Sequence, residues 1–325
     1  MSAEEEAGIR ETHHVKLGRV RCACIDIGSN TTRLLVAEPE GPLLRELRAE
    51  RSFTRIGATC HSDGSIPPEK IAEVAAVVAA YAVMARSEGA SRVRAVATAA
   101  VRDAPNRADL LAAIRAEAGI EVDVLECEEE ARLAFLGATG TCPGSASPDT
   151  DGATRPVAVL DVGGGSTEIV VGLPGGTVSW VVSVPVGSSV LRIPRLGEEG
   201  VPDPEALARA RERSATAFAA VQPPPVERAI AVGGSATSLG RLVGPVLSGP
   251  ALATAVAELA SCTVAEVTHR HELHPDRVRM LPAALMILAA AGKALRGVPL
   301  EIGRGGVREG VVLEHLRHSG WSAPE

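Results

Sequence analysis

Cys24-Ile25-Asp26-Ile27-Gly28-Ser29-Asn30-Thr31-Thr32-Arg33-Leu34-Leu35-Val36 lines up without a gap against Val159-Leu160-Asp161-Val162-Gly163-Gly164-Gly165-Ser166-Thr167-Glu168-Ile169-Val170-Val171. Each copy reads as an apolar strand, an Asp-x-Gly turn and a second apolar strand. A gapless internal match of this kind marks a duplicated supersecondary unit. Two similar halves are therefore expected, each headed by one copy, and 325 residues exceed what one ordinary core accommodates. Outward from the repeat, residues 20–27, 33–38, 92–97, 122–125, 157–161, 167–172, 178–184 and 229–232 read as strands, with further short strands after residue 38. Helical stretches are expected at 67–87, 105–118, 204–220 and 236–242, with long helices across 251–295; the first has Pro near its start and Gly89 past its end. Alternating helices and strands make this an α/β protein. Residues 1–17 read as a polar tail. Residues 139–156, rich in Gly, Ser, Thr, Pro and Asp without periodicity, read as a protruding loop inside a domain.

Composition narrows the function classes. With 46% hydrophobic and 22% charged residues the chain is not a disordered one, and no apolar run reaches the ~20 residues needed to cross a bilayer. Glu4, Glu5 and Glu6 stand where a signal peptide has a basic start, so a cytoplasmic location without a membrane partner is expected. A net charge of -7 argues against a nucleic-acid partner, because coating a phosphate backbone needs a broad basic surface. Six cysteines at 22, 24, 60, 127, 142 and 262 form no C-x-x-C pair and read as reduced, mostly buried thiols. The basic residues are nearly all arginine, whose fork suits phosphate oxygens, although GC-rich coding gives the same bias and is preferred for composition alone.

The chemistry-bearing residues gather at the turns. Asp26 and Asp161 end apolar strands, where open α/β sheets present ligands and where a carboxylate can hold a hard cation. The small residues after each Asp can turn their backbone N–H groups onto an anion. A single D-x-G is a plain hairpin more often than a site, by roughly two to one; the matched pair reverses that balance. Gly163-Gly164-Gly165 leads into a strand rather than a helix, which excludes the dinucleotide fingerprint, and no G-x-x-x-x-G-K-[ST] is present. Val232-Gly233-Gly234-Ser235-Ala236-Thr237 does run from a strand into a helix and forms a third candidate anion site, a simple strand-to-helix turn being equally frequent. Glu128, Glu129 and Glu130 open another helix. First-turn acids stabilise helices in general, and one of them can also serve as a general base on water; the residues alone do not choose among the three.

Taken in order, Asp26-Ile27-Gly28-Ser29-Asn30-Thr31-Thr32-Arg33, Ala97-Thr98-Ala99-Ala100-Val101-Arg102-Asp103-Ala104-Pro105-Asn106, Glu129-Glu130-Ala131, Asp161-Val162-Gly163-Gly164-Gly165-Ser166-Thr167-Glu168 and Arg304-Gly305-Gly306-Val307-Arg308-Glu309-Gly310 resemble the successive motifs of the Ppx/GppA phosphatase family. The resemblance implies a duplicated actin-like, ribonuclease H-like fold with an interdomain cleft. Domain I would comprise residues 18–126 plus 308–325, and domain II residues 127–307. It implies an exopolyphosphatase that uses magnesium, or manganese, to hydrolyse terminal phosphates of polyphosphate; the alternatives are a guanosine pentaphosphate phosphohydrolase and a non-hydrolysing sensor of alarmone or polyphosphate. In that scheme Glu130 is the general base and Arg102 a catalytic neighbour, while Asp161 and Glu168, joined by Asp26, hold the metal. Arg33 and Arg102 clamp phosphate oxygens. Gly28, Ser29 and Asn30, then Gly163, Gly164, Gly165 and Ser166, then Gly233, Gly234, Ser235 and Thr237 line the substrate channel with Arg277. Oxygen ligands without a Cys or His cluster suit magnesium rather than zinc. Arg279 stands where the family often has an acid, Cys127 where it usually has glycine, and the chain ends with the actin-like core, which predicts low processivity. A homodimer is left open, and the residues do not separate polyphosphate from a guanosine alarmone as substrate.

Overall fold

The computed structural model describes residues 20–41, 43–60, 62–141, 155–195, 200–319 and 321. The polar stretch 1–17 and most of the 139–156 loop lie outside them. In the first half, β1 (Cys22–Ile27), β2 (Thr32–Glu40) and β3 (Leu43–Ser52) form a meander. Then come α1 (Ile56–Thr59), α2 (Pro68–Ser87), β4 (Arg92–Ala97), α3 (Ala99–Arg102), α4 (Arg107–Ala118) and β5 (Val122–Val124). Helix α5 (Cys127–Thr141) leads to the second meander, β6 (Val157–Val162), β7 (Thr167–Leu173) and β8 (Thr177–Val184). There follow α6 (Pro204–Phe218), β9 (Arg228–Val232), α7 (Gly233–Val243), β10 (Val246–Leu247), α8 (Gly249–Ser261), α9 (Val264–His271), α10 (Pro275–Ala294), β11 (Leu300–Ile302) and α11 (Val307–His318).

The sheets run β3-β2-β1-β4-β5 and β10-β11-β9-β6-β7-β8. Read from β8 inward, the second sheet repeats the first, with β10 added antiparallel at its edge. Each meander is bulged at the same place in the repeat, between Val36 and Ala37 and between Val171 and Gly172. This is the duplicated actin-like, ribonuclease H-like α/β fold. Register then sets the site, because Asp26 pairs with Arg33 while the equivalent Asp161 pairs with Glu168. One copy sets a cation beside its aspartate and the other a second acid.

Each sheet is covered on both faces, as its nearly continuous apolar strands require. Helices α2 and α4 pack on one face of the first sheet through Val74, Val78, Leu110 and Ile114. Helices α6 to α10 cover the second sheet with Phe218, Leu239, Leu281 and Ile287. Helix α5 serves both halves. Its Leu133 and Ala134 join Cys22, Cys24 and Leu35 of the first sheet, together with Val311 and Leu316 of α11, while Ala131, Phe135 and Ala138 join Val159 and Ile230 of the second. Where α5 and α11 cross, only glycine fits. A Cβ on Gly137 would lie 2.0 Å from the Gly306 carbonyl, and one on Gly310 would lie 2.0 Å from that of Leu133.

Several local expectations shift. Helix α5 continues to Thr141, three residues into the stretch read as loop, because Phe135 and Ala138 bury one of its faces and Thr139 is itself buried. The short strands expected after residue 38 are β2's own end and a single ten-residue strand, β3. Helix α7 begins at Gly233 rather than Ala236, and α8 at Gly249, where the Ser248 hydroxyl caps it. Of the described cysteines only Cys22 and Cys24 are buried, so "mostly buried" overstates the case; Cys60, Cys127 and Cys262 are half-exposed free thiols.

Candidate active-site cleft

The two Asp-x-Gly turns close in the same way, the Gly28 N–H donating to the Thr31 carbonyl and the Gly163 N–H to the Ser166 carbonyl, each at 3.0 Å. They also meet each other. A Cβ on Gly164 would sit 2.9 Å from the Ser29 Cβ, and one on Gly165 3.0 Å from the Ser29 hydroxyl. Small residues are therefore needed for contact between the halves as well as for presenting amides. The second turn is backed by the segment after β8, whose Ser188 and Ser189 N–H groups donate to the carbonyls of Gly163 and Gly164.

Between the turns lies a cleft of about 140 Å³. Asp26, Gly28, Ser29, Asn30 and Arg33 line it from the first half, and Asp161, Gly163 and Gly164 from the second. The start of α7 adds Gly233, Gly234, Ser235 and Thr237, and α10 adds Arg277. Glu130 of α5 reaches the same space. Gly165, Ser166, Glu168 and Arg102 stand behind this lining. Gly233 has φ +86°, and a Cβ there would fall 2.7 Å from Asp161 Oδ1; a Cβ on Gly234 would fall 2.4 Å from the Arg277 guanidinium. Both glycines thus clear room for charged groups at a helix N-terminus, itself favourable to anions.

Burial shapes the electrostatics. It raises the Asp161 carboxyl to about 7, helped by Glu168 and Asp26 nearby. Asp26 is pushed up by burial against the pull of Arg33 and Arg308. Arg33 comes down to about 9 through burial and the neighbouring charges of Arg308 and Arg51, and Arg277 to about 10 for the same kind of reason. Neither arginine meets a carboxylate at ion-pairing distance among the described residues; Arg277 lies over the Phe53 ring at 5.7 Å. Desolvated cations without a counter-ion at the wall of a cleft favour an anionic guest.

Of the three glutamates opening α5, Glu128 faces solvent and Glu129 pairs with Arg132 at 2.7 Å, whereas Glu130 is buried. Arg102 Nη1 donates to Glu130 Oε2 at 3.0 Å and to the Leu125 carbonyl at 2.8 Å. Arg102 therefore holds Glu130 from behind instead of presenting itself to a phosphate. Desolvation, with Glu168 and Asp161 close by, drives the Glu130 carboxyl well above the usual range despite that ion pair. Glu168 is more deeply buried still; the Ser183 hydroxyl donates to its Oε1 at 2.8 Å, and burial raises it against the help of the Ser166 and Ser183 hydroxyls.

Among the described residues no three acidic, His or Cys side chains converge as a ready-made metal cage. Magnesium needs no such cage, since it takes one or two carboxylates and completes its shell with water and substrate phosphate. Asp161 fits such a role, since no described residue donates a hydrogen bond to it and its raised proton affinity marks a place short of positive charge. Thr98, Arg304, Arg308 and Glu309 also line the cleft; they fall within the sequence motifs, but nothing local gave any of them a role, and Ser188 and Met280 carried no signal at all.

Comparison with known proteins decides the family. The model of the Ppx/GppA phosphatase family matches residues 35–319. The chain belongs to that family. Among Ppx/GppA relatives, an uncharacterized protein of Streptomyces coelicolor is 30% identical over 316 residues, spanning 91% of this chain and 90% of its own length. Exopolyphosphatase 1 of Mycobacterium tuberculosis is 28% identical over 321 residues, covering 91% and 88%. The crystal structure of the Aquifex aeolicus Ppx/GppA family member superposes with a TM-score of 0.75 at 27% identity, over 93% of this chain and 99% of that one. No helix among the described residues is long and apolar enough to cross a membrane.

Proposed function

We propose that this chain is a magnesium-dependent exopolyphosphatase, releasing the terminal phosphate of a polyphosphate chain by attack of a water that Glu130 deprotonates. The observation that carries the reading is the carboxylate of Glu130, buried, fixed by Arg102 and opening onto a cleft whose other walls are phosphate-seeking amides and arginines. The turn amides at 28–30 and 163–164, with the first residues of α7, would take the phosphate oxygens, and Arg33 and Arg277 would balance their charge. Asp161 and Glu168 would hold magnesium, which supplies neutralisation of the charge that builds on the transferring phosphoryl group. Glu130 accepts the proton of water as the water oxygen bonds to the terminal phosphorus, and the P–O bond to the chain breaks with its electron pair on the bridging oxygen that the shortened chain keeps. Phosphoryl transfer asks mostly for positioning and charge balance, which fits a site rich in both. The family names carried by relatives favour polyphosphate over a guanosine alarmone.

Initial rates of phosphate release from polyphosphate and from guanosine pentaphosphate, each with magnesium and after exhaustive chelation, test the proposal. Release from polyphosphate that stops on chelation is expected. Full activity without a divalent metal, or turnover of the nucleotide alone, would overturn it.

A further inference from the structure

Phe53 follows directly on β3 in the first half, and its ring reaches across to two side chains at the start of α10 in the second. It stacks on the His274 imidazole, with ring centroids 4.6 Å apart and planes 23° from parallel, and the Arg277 guanidinium lies 5.7 Å from its centre. The chain has only three phenylalanines. Phe135 and Phe218 fill the core, whereas Phe53 is half-buried and joins no apolar cluster among the described residues. Core packing therefore does not account for an aromatic side chain at this position.

Arg277 needs a support of this kind. Its side chain is buried at the cleft wall, yet its guanidinium has no hydrogen-bond or ion-pair partner among the described residues. A long side chain with rotamer freedom and no polar tether is aimed by packing alone. On α7 the Gly234 backbone supplies one wall, since a Cβ there would fall 2.4 Å from the guanidinium. The Phe53 ring supplies another, and a ring face attracts a cation without occupying any of its N–H donors. Those donors stay available to an anion. His274 steadies the ring from the second half: as the N-cap of α10, its Nδ1 accepts the Asp276 N–H at 3.2 Å, which fixes the imidazole in turn. The stack draws on both halves, so the aim of Arg277 depends on their contact. We propose that Phe53 is a positioning residue, which together with His274 holds the Arg277 guanidinium ready for the phosphate oxygens of the substrate. The inference rests on the phosphatase reading, in which Arg277 meets a polyphosphate, and Phe53 itself is not part of the cleft lining.

The test uses the full chain with magnesium and has two readouts: steady-state phosphate release from a medium-length polyphosphate, and calorimetric affinity for tripolyphosphate on a Glu130→Gln background. Phe53→Leu keeps apolar bulk without a ring face. It should raise KM roughly fivefold to tenfold and weaken tripolyphosphate binding by a similar factor, with kcat within about twofold. Phe53→Tyr retains the ring face and should stay within about twofold of the unmutated chain on each count. His274→Asn keeps a capping side chain but removes the imidazole, and should raise KM by a smaller factor, about twofold to threefold. Beside Arg277→Ala, neither Phe53→Leu nor His274→Asn should add a change of more than about twofold, because the ring acts through that guanidinium. Should Phe53→Leu fail to fold, His274→Asn decides by the same comparison. Equal penalties with and without Arg277, an unchanged KM in Phe53→Leu, or no rescue by tyrosine would overturn the proposal. A chain that binds tripolyphosphate with the expected dependence on Phe53 and Arg277 but releases no phosphate would defeat the phosphatase reading and leave the positioning role standing.

Discussion

Glu130→Gln separates catalysis from folding. Glutamine keeps the length of the side chain, and its amide oxygen can still accept from Arg102 Nη1, which sits 3.0 Å from Glu130 Oε2 and keeps its second bond to the Leu125 carbonyl. What is lost is the ability to take a proton. A positioned base contributes roughly 10²-fold to 10⁴-fold, equivalent to about 3 to 5 kcal/mol of barrier, so kcat on polyphosphate should fall by that factor with little change in KM. Stability should move the other way or not at all. Burial and the neighbouring Glu168 and Asp161 raise the carboxyl's proton affinity in the folded state, so its charged form costs stability at neutral and higher pH. Removing the charge relieves that cost. The assay is phosphate release under steady-state and single-turnover conditions, with thermal unfolding at pH 8 in the presence of chelator. Turnover above about a tenth of wild type would refute the assignment of the base. A large fall in Tm would mean that the carboxylate is structural. Glu129→Gln is the control: its ion pair with Arg132 is half-exposed, so rate should be unchanged and stability should drop by less than ~1 kcal/mol.

Arg102→Ala should lower kcat and shift the acid-side limb of the rate profile to higher pH, because Glu130 loses the cation that favours its charged form; an unshifted profile would detach the pair from the chemistry. Arg33→Ala should raise KM, since a cation at the cleft wall holds bound substrate, and also lower kcat to the extent that its pull strengthens as charge builds in the transition state; a pure kcat effect would count against a clamp. Gly137→Ala puts a Cβ 2.0 Å from the Gly306 carbonyl, so the α5–α11 crossing must spread, at a cost of roughly 1 to 3 kcal/mol or more in urea unfolding; a neutral result would mean that the helices separate freely. Burial raises Asp161 to about 7 in the folded chain, against an ordinary ~3.9 when unfolded, so between those values the metal-free folded protein holds a proton that the unfolded chain has lost, and up to about 4 kcal/mol of stability is lost as pH rises across that window. Unfolding with chelator should therefore show stability falling between roughly pH 4 and 7 and levelling off above it, and magnesium added near pH 7 should release protons in calorimetry.

Much of this architecture was legible because it depends on local pattern. The Asp26 and Asp161 copies, their flanking apolar strands and the turn glycines are short-range signals, and strands β4 and β6 and helix α2 fall within a residue of where periodicity puts them. The helix start at Glu128-Glu129-Glu130 was equally visible, but its chemistry was not. All three acids are compatible with a helix N-terminus, and only packing of α5 between the sheets turns Glu130 inward while Glu128 stays in water. The end of α5 was misread for a related reason, since the Gly and Thr residues at 139–141 have weak helical preference that tertiary burial overrides.

By itself, then, the sequence determined a duplicated α/β chain with two matched Asp-x-Gly turns, because those features follow from residue spacing and the conformational freedom of glycine. Which charges face one another was decided only by the fold. Strand register places Arg33 beside Asp26 but Glu168 beside Asp161, so one turn is flanked by an acid and a base and the other by two acids. Arg102 is twenty-eight residues from Glu130 in sequence and 3.0 Å away in space, an ion pair that chain order does not reveal. Next to the cleft, Arg55, Arg192 and Arg279 line one further cavity, although no local pattern relates those three positions. Electrostatic partners are set by distance through space, and distance through space is what chain order does not encode.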